Sequence, residues 1–366
     1  MSEAVVDDIV AMLPPLLQSL EALGFVARYL NPPDFDRVME AAGSPDDALR
    51  ALRPRLAQWP EQFSDIKEPL ESASEATLAG FEGLRAVQSG NGDLVSVFRA
   101  LRYAPRAQEA LYALCAKMPP VSQFFVEPSL REDTELAARL AEPANENTGI
   151  FHDQNEPGSR GGFSLYVPEY YTRDRAWPLV MALHGGSGNG RGFPWSWLRD
   201  ARSHGAILVA PTATGSASNK STPNKSTWAL MGDDTDTPNL VRILDSVRSR
   251  WNIDPERILL TGMSDGGTFC YVSGFDSASP FTHLAPVSAT FHPLMAEIAD
   301  AERLRGLPIH IVHGRLDWMF PVQVARQTSQ ALSAAGADVT YRELEDLSHC
   351  YPREMNAPIL KWLNNC

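Results

Sequence analysis

Five short apolar runs in the second half of the chain constrain its fold more than any other feature. Runs of this length without polar alternation are typical of strands covered on both faces, as in parallel sheets. Between two of them, Leu240, Ile243 and Val247 share one face of a predicted helix. The sequence therefore predicts a mostly parallel sheet flanked by helices. The runs are "PLVMALHGG" (178–186), "GAILVAPTA" (205–213), "RILLTG" (257–262), "HLAPVSA" (283–289) and "LPIHIVHG" (307–314).

Three further segments complete the expected second half. "GGFSLYVPEYY" alternates Phe163, Leu165 and Val167 with other residues, as a half-buried antiparallel strand would. "DVTYRELE" (338–345) is the expected last strand. The polar stretch 214–227 is predicted to be a loop after the C-terminal end of a strand, the edge where open α/β sheets bind ligands.

The first part of the chain has a helical pattern instead. Leu94, Val97, Phe98 and Leu101 follow the i, i+3, i+4, i+7 spacing of an amphipathic helix. Proline pairs at 14–15, 32–33 and 119–120 are expected to lie between elements. At 366 residues the length favours two domains. We predict an all-α domain over residues 1–145 and an α/β domain over 146–366, with the chemistry in the second.

Charge and cysteine usage restrict the partners and the compartment. The net charge of −13, from 45 acidic and 32 basic residues, makes nucleic acid and anionic membranes poor partners. No membrane span is expected, because no stretch of about 18 apolar residues occurs. The acidic N-terminus does not resemble a signal peptide, so a cytoplasmic location is expected. The cysteines lack metal-ligand spacing and are expected to be free thiols, and no metal is expected. They are Cys115, Cys270, Cys350 and Cys366.

The segment "LLTGMSDGGTF" (259–269) places Ser264 between two glycines, directly after an apolar run. A serine on so tight a strand–turn–helix has a strained backbone, and glycine at positions 262 and 266 removes the side chains that would crowd it. This G-x-S-x-G pattern, in this context, predicts a hydrolase nucleophile.

A serine nucleophile requires a base and an acid that orients the base. Asp317 follows the buried run 307–314, and His349 follows the last predicted strand. The order serine, acid, histidine, each after a strand, is a known arrangement of such triads. We therefore predict His349 as the base and Asp317 as the acid. For the acid, three alternatives near His349 stay open: Glu343, Glu345 and Asp346.

The tetrahedral intermediate also requires hydrogen-bond donors for its oxyanion. The glycine-rich segment "LHGGSGNG" (183–190) fits neither common phosphate-binding pattern. We predict the N–H groups of Gly186 and Asp265 as the donors, the latter at a helix N-terminus. Trp318, directly after the proposed acid, is the best candidate among the tryptophans to line the substrate site.

The segments around these residues together resemble the phospholipase/carboxylesterase branch of the α/β-hydrolases, which includes acyl-protein thioesterases. The resemblance covers about residues 160–366. It rests on "PLVMALHGGSGNG", "IDPERILLTGMSDGG", "PIHIVHGRLDWMFPVQVARQTSQALSAAGADVTYRELEDLSH" and "ILKWL". It implies an α/β-hydrolase fold and a cofactor-independent serine carboxylesterase. By this resemblance Ser264 is the nucleophile, His349 the general base and acid, and Asp317 its orienting partner, with a small ester as substrate.

Two departures from the family pattern leave questions open. Asp265 stands where the family usually has Gln, and its carboxylate either disfavours anionic substrates or only caps the helix. The N-terminal helices are absent from minimal family members and are expected to form a lid, mediate homo-oligomerisation or stabilise the fold.

The alternative functions are polyester or feruloyl-type esterase, lysophospholipase and thioesterase. A prolyl-oligopeptidase-like peptidase is disfavoured because its accessory domain is a β-propeller. A non-catalytic binding module is disfavoured because the triad is complete.

Overall fold

The chain divides into two units, residues 1–143 and 144–366. The computed structural model describes residues 3–186, 188–219, 222–292 and 294–365. This division lies two residues before the predicted domain boundary.

The first unit contains helices α1 to α8, which are joined by turns and short 3-10 helices. Helix α4 packs on α5 and α6, and α1 packs on α3 and α4. Leu16, Leu23 and Phe81 are among the fully buried side chains of this unit. The helices are α1 (Glu3–Tyr29), α2 (Phe35–Ala42), α3 (Asp46–Leu52), α4 (Ser64–Gln88), α5 (Leu94–Leu101), α6 (Tyr103–Tyr112), α7 (Pro119–Phe124) and α8 (Thr134–Ala141).

Helix α1 differs from the prediction in one respect. Pro14 and Pro15 lie inside the helix instead of between two elements. Pro14 is exposed and so is Val10, four residues earlier, so the carbonyl group that loses its intrahelical donor lies on the solvent side. The buried residues Met12 and Leu16 on the opposite side stabilise the continuous helix.

Helix α1 is also long and apolar enough to cross a membrane by length and composition. It is the one helix of the described residues with this property, and no span was predicted from the sequence. Half of its most apolar window is buried, and the core helices of soluble proteins have the same character.

The second unit is built on an eight-stranded sheet with the strand order β1-β2-β4-β3-β7-β8-β9-β10. Strand β2 pairs antiparallel with β1 and β4, and the pairs from β4 through β3 to β10 are parallel. The strands are β1 (Gly149–Asp153), β2 (Phe163–Val167), β3 (Trp177–Leu183), β4 (Ile207–Pro211), β7 (Ile253–Met263), β8 (His283–Val287), β9 (Pro308–Gly314) and β10 (Asp338–Leu344).

Helices flank this sheet and cover its core. Met181 and Leu260 from the sheet are fully buried together with Phe269 from a helix. The helices are α9 (Leu198–His204), α10 (Asp236–Arg250), α11 (Asp265–Gly274), α12 (Leu294–Ile298), α13 (Ala301–Leu304), α14 (Val322–Ala334) and α15 (Asn356–Asn365). All five apolar runs form strands, as predicted.

Two local predictions for this unit are wrong. Strand β2 is buried on both faces rather than one, and it pairs with β1 and β4 along its two edges. The polar stretch 214–227, predicted to be a loop, contains two antiparallel strands, β5 (Gly215–Asn219) and β6 (Thr222–Thr227). The outer ends of these two strands are fixed by Asp236, whose carboxylate accepts the N–H groups of Thr214 and Ala229 at 2.7 and 2.8 Å. Polar strands of this kind show no apolar alternation in the sequence.

Candidate active site

Ser264 occupies the sharp turn between β7 and α11. Its φ and ψ angles are 56° and −119°, a conformation that a residue with a side chain rarely adopts. Its N–H donates to the Val287 carbonyl at 2.9 Å, and its own carbonyl accepts from the Thr268 N–H at 2.8 Å. Strain of this kind costs about 1–3 kcal/mol and persists only where the surrounding structure enforces it.

The two glycines of the pattern are required by close packing around this turn. A Cβ atom on Gly262 would lie 2.7 Å from the Gly266 carbonyl carbon. A Cβ atom on Gly266 would lie 2.5 Å from the His184 carbonyl oxygen and 2.6 Å from that of Leu183. Distances below 3.0 Å are not tolerated by real Cβ atoms. Only glycine at both positions therefore allows the strained turn to pack against β3.

The structure brings Ser264, His349 and Asp317 into one hydrogen-bonded chain. His349 Nε2 lies 3.0 Å from Ser264 Oγ, and His349 Nδ1 lies 2.9 and 3.0 Å from the two carboxylate oxygens of Asp317. All three residues are buried. Because a carboxylate only accepts, the Nδ1 atom carries the proton, which leaves Nε2 free to accept from the serine hydroxyl.

The Asp317 carboxylate is itself held by main-chain donors. Its Oδ1 atom accepts the N–H groups of Met319 and Phe320 at 2.9 and 2.8 Å. Behind it, His313 Nε2 lies 2.8 Å from the Phe320 carbonyl oxygen and 3.5 Å from Asp317 Oδ2. Burial lowers the pKa of His313. Sequence reasoning did not assign a role to this histidine.

Two of the three alternative acids pair with arginines rather than with His349. Glu343 accepts from Arg326 Nε at 2.8 Å and from the Tyr341 hydroxyl at 2.9 Å. The Arg326 hydrogen bond lowers the pKa of Glu343 to about 2. Glu345 pairs with Arg315.

The glycine-rich loop after β3 runs directly beside the serine. A Cβ atom on Gly185 would lie 3.6 Å from Ser264 Cβ, and the next residue, Gly186, is exposed. Asp265 is the first residue of α11, so its N–H has no acceptor within the helix and lies at the positive end of the helix dipole. Both predicted oxyanion donors are thus on segments adjacent to Ser264.

His184 fixes this loop and was missed by sequence reasoning. Its Nδ1–H donates to the Gly185 carbonyl at 2.8 Å, and its Nε2 accepts the Ala213 N–H at 3.1 Å. Its own carbonyl accepts the Trp228 Nε1–H at 2.7 Å. Burial lowers the pKa of His184 to about 4, which keeps this tautomer neutral. The sequence signal for this role was the position of His184 directly before the two glycines of the loop, Gly185 and Gly186.

Apolar side chains border the histidine on the loop that carries Asp317. Trp318 is 42% exposed, and its ring centroid lies 6.1 Å from that of His349. Leu316 and Met319 are also exposed, whereas Phe320 contacts the His349 ring at 5.2 Å between centroids. The other tryptophans considered in the sequence, Trp195, Trp197 and Trp228, are buried.

Main-chain hydrogen bonds continue past the strand ends and join the loops of this site. In addition to the bond from Ser264 to Val287, the Ser288 N–H donates to Val312 at 2.9 Å. The Arg315 N–H then donates to Leu344 at 2.9 Å. The loops after β7, β8 and β9 are therefore each bonded to the next strand, in a row that ends at β10. Among the described residues, no group of three or more His, Cys, Asp or Glu is arranged to hold a metal ion.

Comparison with known proteins agrees with this architecture. Residues 233–366, which include all three members of the hydrogen-bonded chain, match the model of the phospholipase/carboxylesterase family. The predicted α/β-hydrolase fold preceded by helices is confirmed, and so is the predicted relation to serine esterases.

One similar protein shares sequence with less than half of this chain. A bifunctional acetylxylan esterase/xylanase of Neocallimastix patriciarum is 30% identical over 167 residues, which are 45% of this chain. The match spans 22% of the length of that relative.

Solved structures with a similar fold include two esterase-type proteins. A thermostable esterase has a TM-score of 0.46 at 22% identity, covering 59% of this chain and 61% of its own. Acyl-protein thioesterase 2 of Zea mays has a TM-score of 0.43 at 17% identity, covering 55% and 97%.

Proposed function

We propose that this chain is a serine carboxylesterase that hydrolyses carboxylic esters through an acyl-enzyme. The observation that carries the proposal is the hydrogen-bonded chain from Ser264 Oγ through His349 to the Asp317 carboxylate. The exposed apolar residues beside His349 and the relation to a carboxylesterase family support the same reaction.

In the first half of the reaction, Ser264 Oγ attacks the ester carbonyl carbon while His349 Nε2 accepts the hydroxyl proton. The ring becomes positively charged, and the adjacent Asp317 carboxylate stabilises that charge. The carbonyl oxygen becomes an oxyanion, which the N–H groups of Gly186 and Asp265 are proposed to receive. His349 then donates its proton to the leaving alcohol, and the acyl group stays on the serine.

In the second half, a water molecule takes the place of the alcohol. His349 accepts a proton from the water, whose oxygen attacks the acyl carbon, and the carboxylic acid leaves as the proton returns to Ser264 Oγ. Besides the substrate and water, each step uses only groups of this chain, so the proposed reaction requires no cofactor.

The proposal is tested with p-nitrophenyl esters of increasing acyl length. Ser264→Ala is expected to lower kcat by at least about 10³-fold, because removing the nucleophile of a triad has effects of this order or larger. Ser273→Ala is the matched control, since this buried serine lies on the helix that follows Ser264 and its hydroxyl has no partner among the described residues. Equal activity of both variants and the wild type would exclude Ser264 as the nucleophile.

A second candidate substrate is an acetyl ester on a sugar. It is favoured by the similarity to the acetylxylan esterase/xylanase of Neocallimastix patriciarum and by the exposed indole of Trp318 beside His349. Release of acetate from acetylated xylan, measured beside hydrolysis of p-nitrophenyl acetate, distinguishes the candidates. A rate on the polymer that is lost in Ser264→Ala would support the sugar ester, and hydrolysis of the small ester alone would exclude it.

A further inference from the structure

A second buried histidine lies behind the acid of the site. His313 is near the end of β9, four residues before Asp317, and its side chain is 1% exposed. Its Nε2 atom lies 2.8 Å from the Phe320 carbonyl oxygen and 3.5 Å from Asp317 Oδ2. The same carboxylate oxygen lies 2.9 Å from His349 Nδ1. The two histidines therefore lie on either side of one carboxylate.

The tautomer of His313 follows from its partner. A backbone carbonyl only accepts, so the proton is on Nε2 and points toward the Phe320 oxygen. The Nδ1 atom is buried and has no hydrogen-bond partner among the described residues. No acceptor among the described residues would hold the proton on Nδ1 instead of Nε2. Burial lowers the pKa of His313 and so disfavours protonation of both nitrogens. The ring is thus a neutral donor with a fixed orientation.

Phe320 connects this donor to the acid. Its carbonyl accepts from His313, while its N–H donates to Asp317 Oδ1 at 2.8 Å. The turn from Asp317 to Phe320 is therefore attached to the rigid strand β9 through one side chain. The Nε2 atom also lies 3.5 Å from Asp317 Oδ2.

We propose that His313 is a positioning residue that holds the turn 317–320, and with it the Asp317 carboxylate, in the orientation that His349 requires. This inference rests on the proposed function of the site. His313 does not reach the reacting atoms, so its effect is expected on kcat through the geometry of Asp317, with little change in KM.

Three substitutions separate this role from simple packing. His313→Leu removes the donor and is expected to lower kcat by on the order of 10²-fold, the effect of a small misplacement in an active site. His313→Gln places an amide N–H near the Nε2 position and is expected to recover most of kcat. The matched control is His310→Leu, three residues earlier on β9, where the ring packs against Trp362 and both nitrogens lack partners among the described residues.

A second readout does not depend on turnover. The proton of His349 Nδ1, hydrogen-bonded to a carboxylate, is observable by NMR in water, and we expect its signal to be lost or shifted in His313→Leu. It should be retained in His313→Gln and His310→Leu. If the leucine variant does not fold, His313→Asn replaces it, since its shorter amide does not reach the Phe320 carbonyl.

Wild-type kcat and an unchanged signal in His313→Leu or His313→Asn would overturn the inference while leaving the proposed function intact. Activity that survives in Ser264→Ala would instead overturn the proposed function. In that case the signal of the His349 Nδ1 proton in His313→Leu would still show whether His313 positions Asp317.

Discussion

Ser264 Oγ lies 3.0 Å from His349 Nε2, although 85 residues separate them in the chain. The contact is made because both residues follow the C-terminal ends of parallel strands in one sheet, where loops converge. The site thus depends on sheet topology as much as on its own residues.

Asp317→Asn is expected to lower kcat by about 10⁴-fold, because the amide supports the wrong tautomer of the histidine. The measurement is kcat on p-nitrophenyl acetate. Glu345→Gln is the matched control, since this acid follows β10 and pairs with Arg315. A near-wild-type rate for Asp317→Asn would assign the orienting role to another acid.

Trp318→Ala is expected to raise KM about tenfold for esters with an aryl or long apolar group. Loss of an aromatic contact costs up to about 1.5 kcal/mol, and 1.4 kcal/mol corresponds to a factor of ten. Ethyl acetate, which has neither group, is the internal control and should show little change. An equal change for all esters would place Trp318 outside the substrate site.

Gly266→Ala is expected to lower the free energy of unfolding by about 1–3 kcal/mol and to impair turnover, because the new methyl group overlaps the His184 carbonyl. Urea unfolding measures the free energy of unfolding, and hydrolysis of p-nitrophenyl acetate measures kcat. Gly185→Ala is the stability control, since its Cβ would make ordinary contacts at 3.4 Å and beyond. Equal stabilities of the two variants would contradict the steric explanation.

Stability is expected to fall with acid from about pH 6.5 downward. Burial, together with Arg342, lowers the pKa of His310 to about 4, from 6.5 in an unfolded chain. Below pH 6.5 the unfolded chain binds the proton first, so folding loses stability until about pH 4, by about 2 kcal/mol at pH 5. His184 contributes in the same direction.

The test for His310 is urea unfolding at pH 7, 6 and 5 for the wild type and His310→Leu. The variant should lose less stability over this range because it carries no titrating ring. Parallel pH curves for the two proteins would show that His310 does not titrate as described.

The sequence was most informative where local pattern and chemistry coincide. The five apolar runs predict their strands because burial on both faces leaves no room for polar alternation, and Ser264, Asp317 and His349 follow three of the strands of this sheet. His184 also contacts Ala213 and Trp228, which are distant in the chain. His313 contacts Phe320 across a turn whose geometry the sequence does not reveal. The continuous helix through Pro14 depends on packing in the same way. The cytoplasmic location, the oligomeric state and the role of the helical unit stay predictions.

The row of main-chain hydrogen bonds from Ser264 to Leu344 has an evolutionary consequence. Backbone groups are the same in every residue, so this framework survives most substitutions in the loops that it connects. Side chains such as Leu316 and Met319 are therefore free to vary. Substitutions at these positions are therefore expected to change what the site can bind while the geometry of Ser264, His349 and Asp317 is kept.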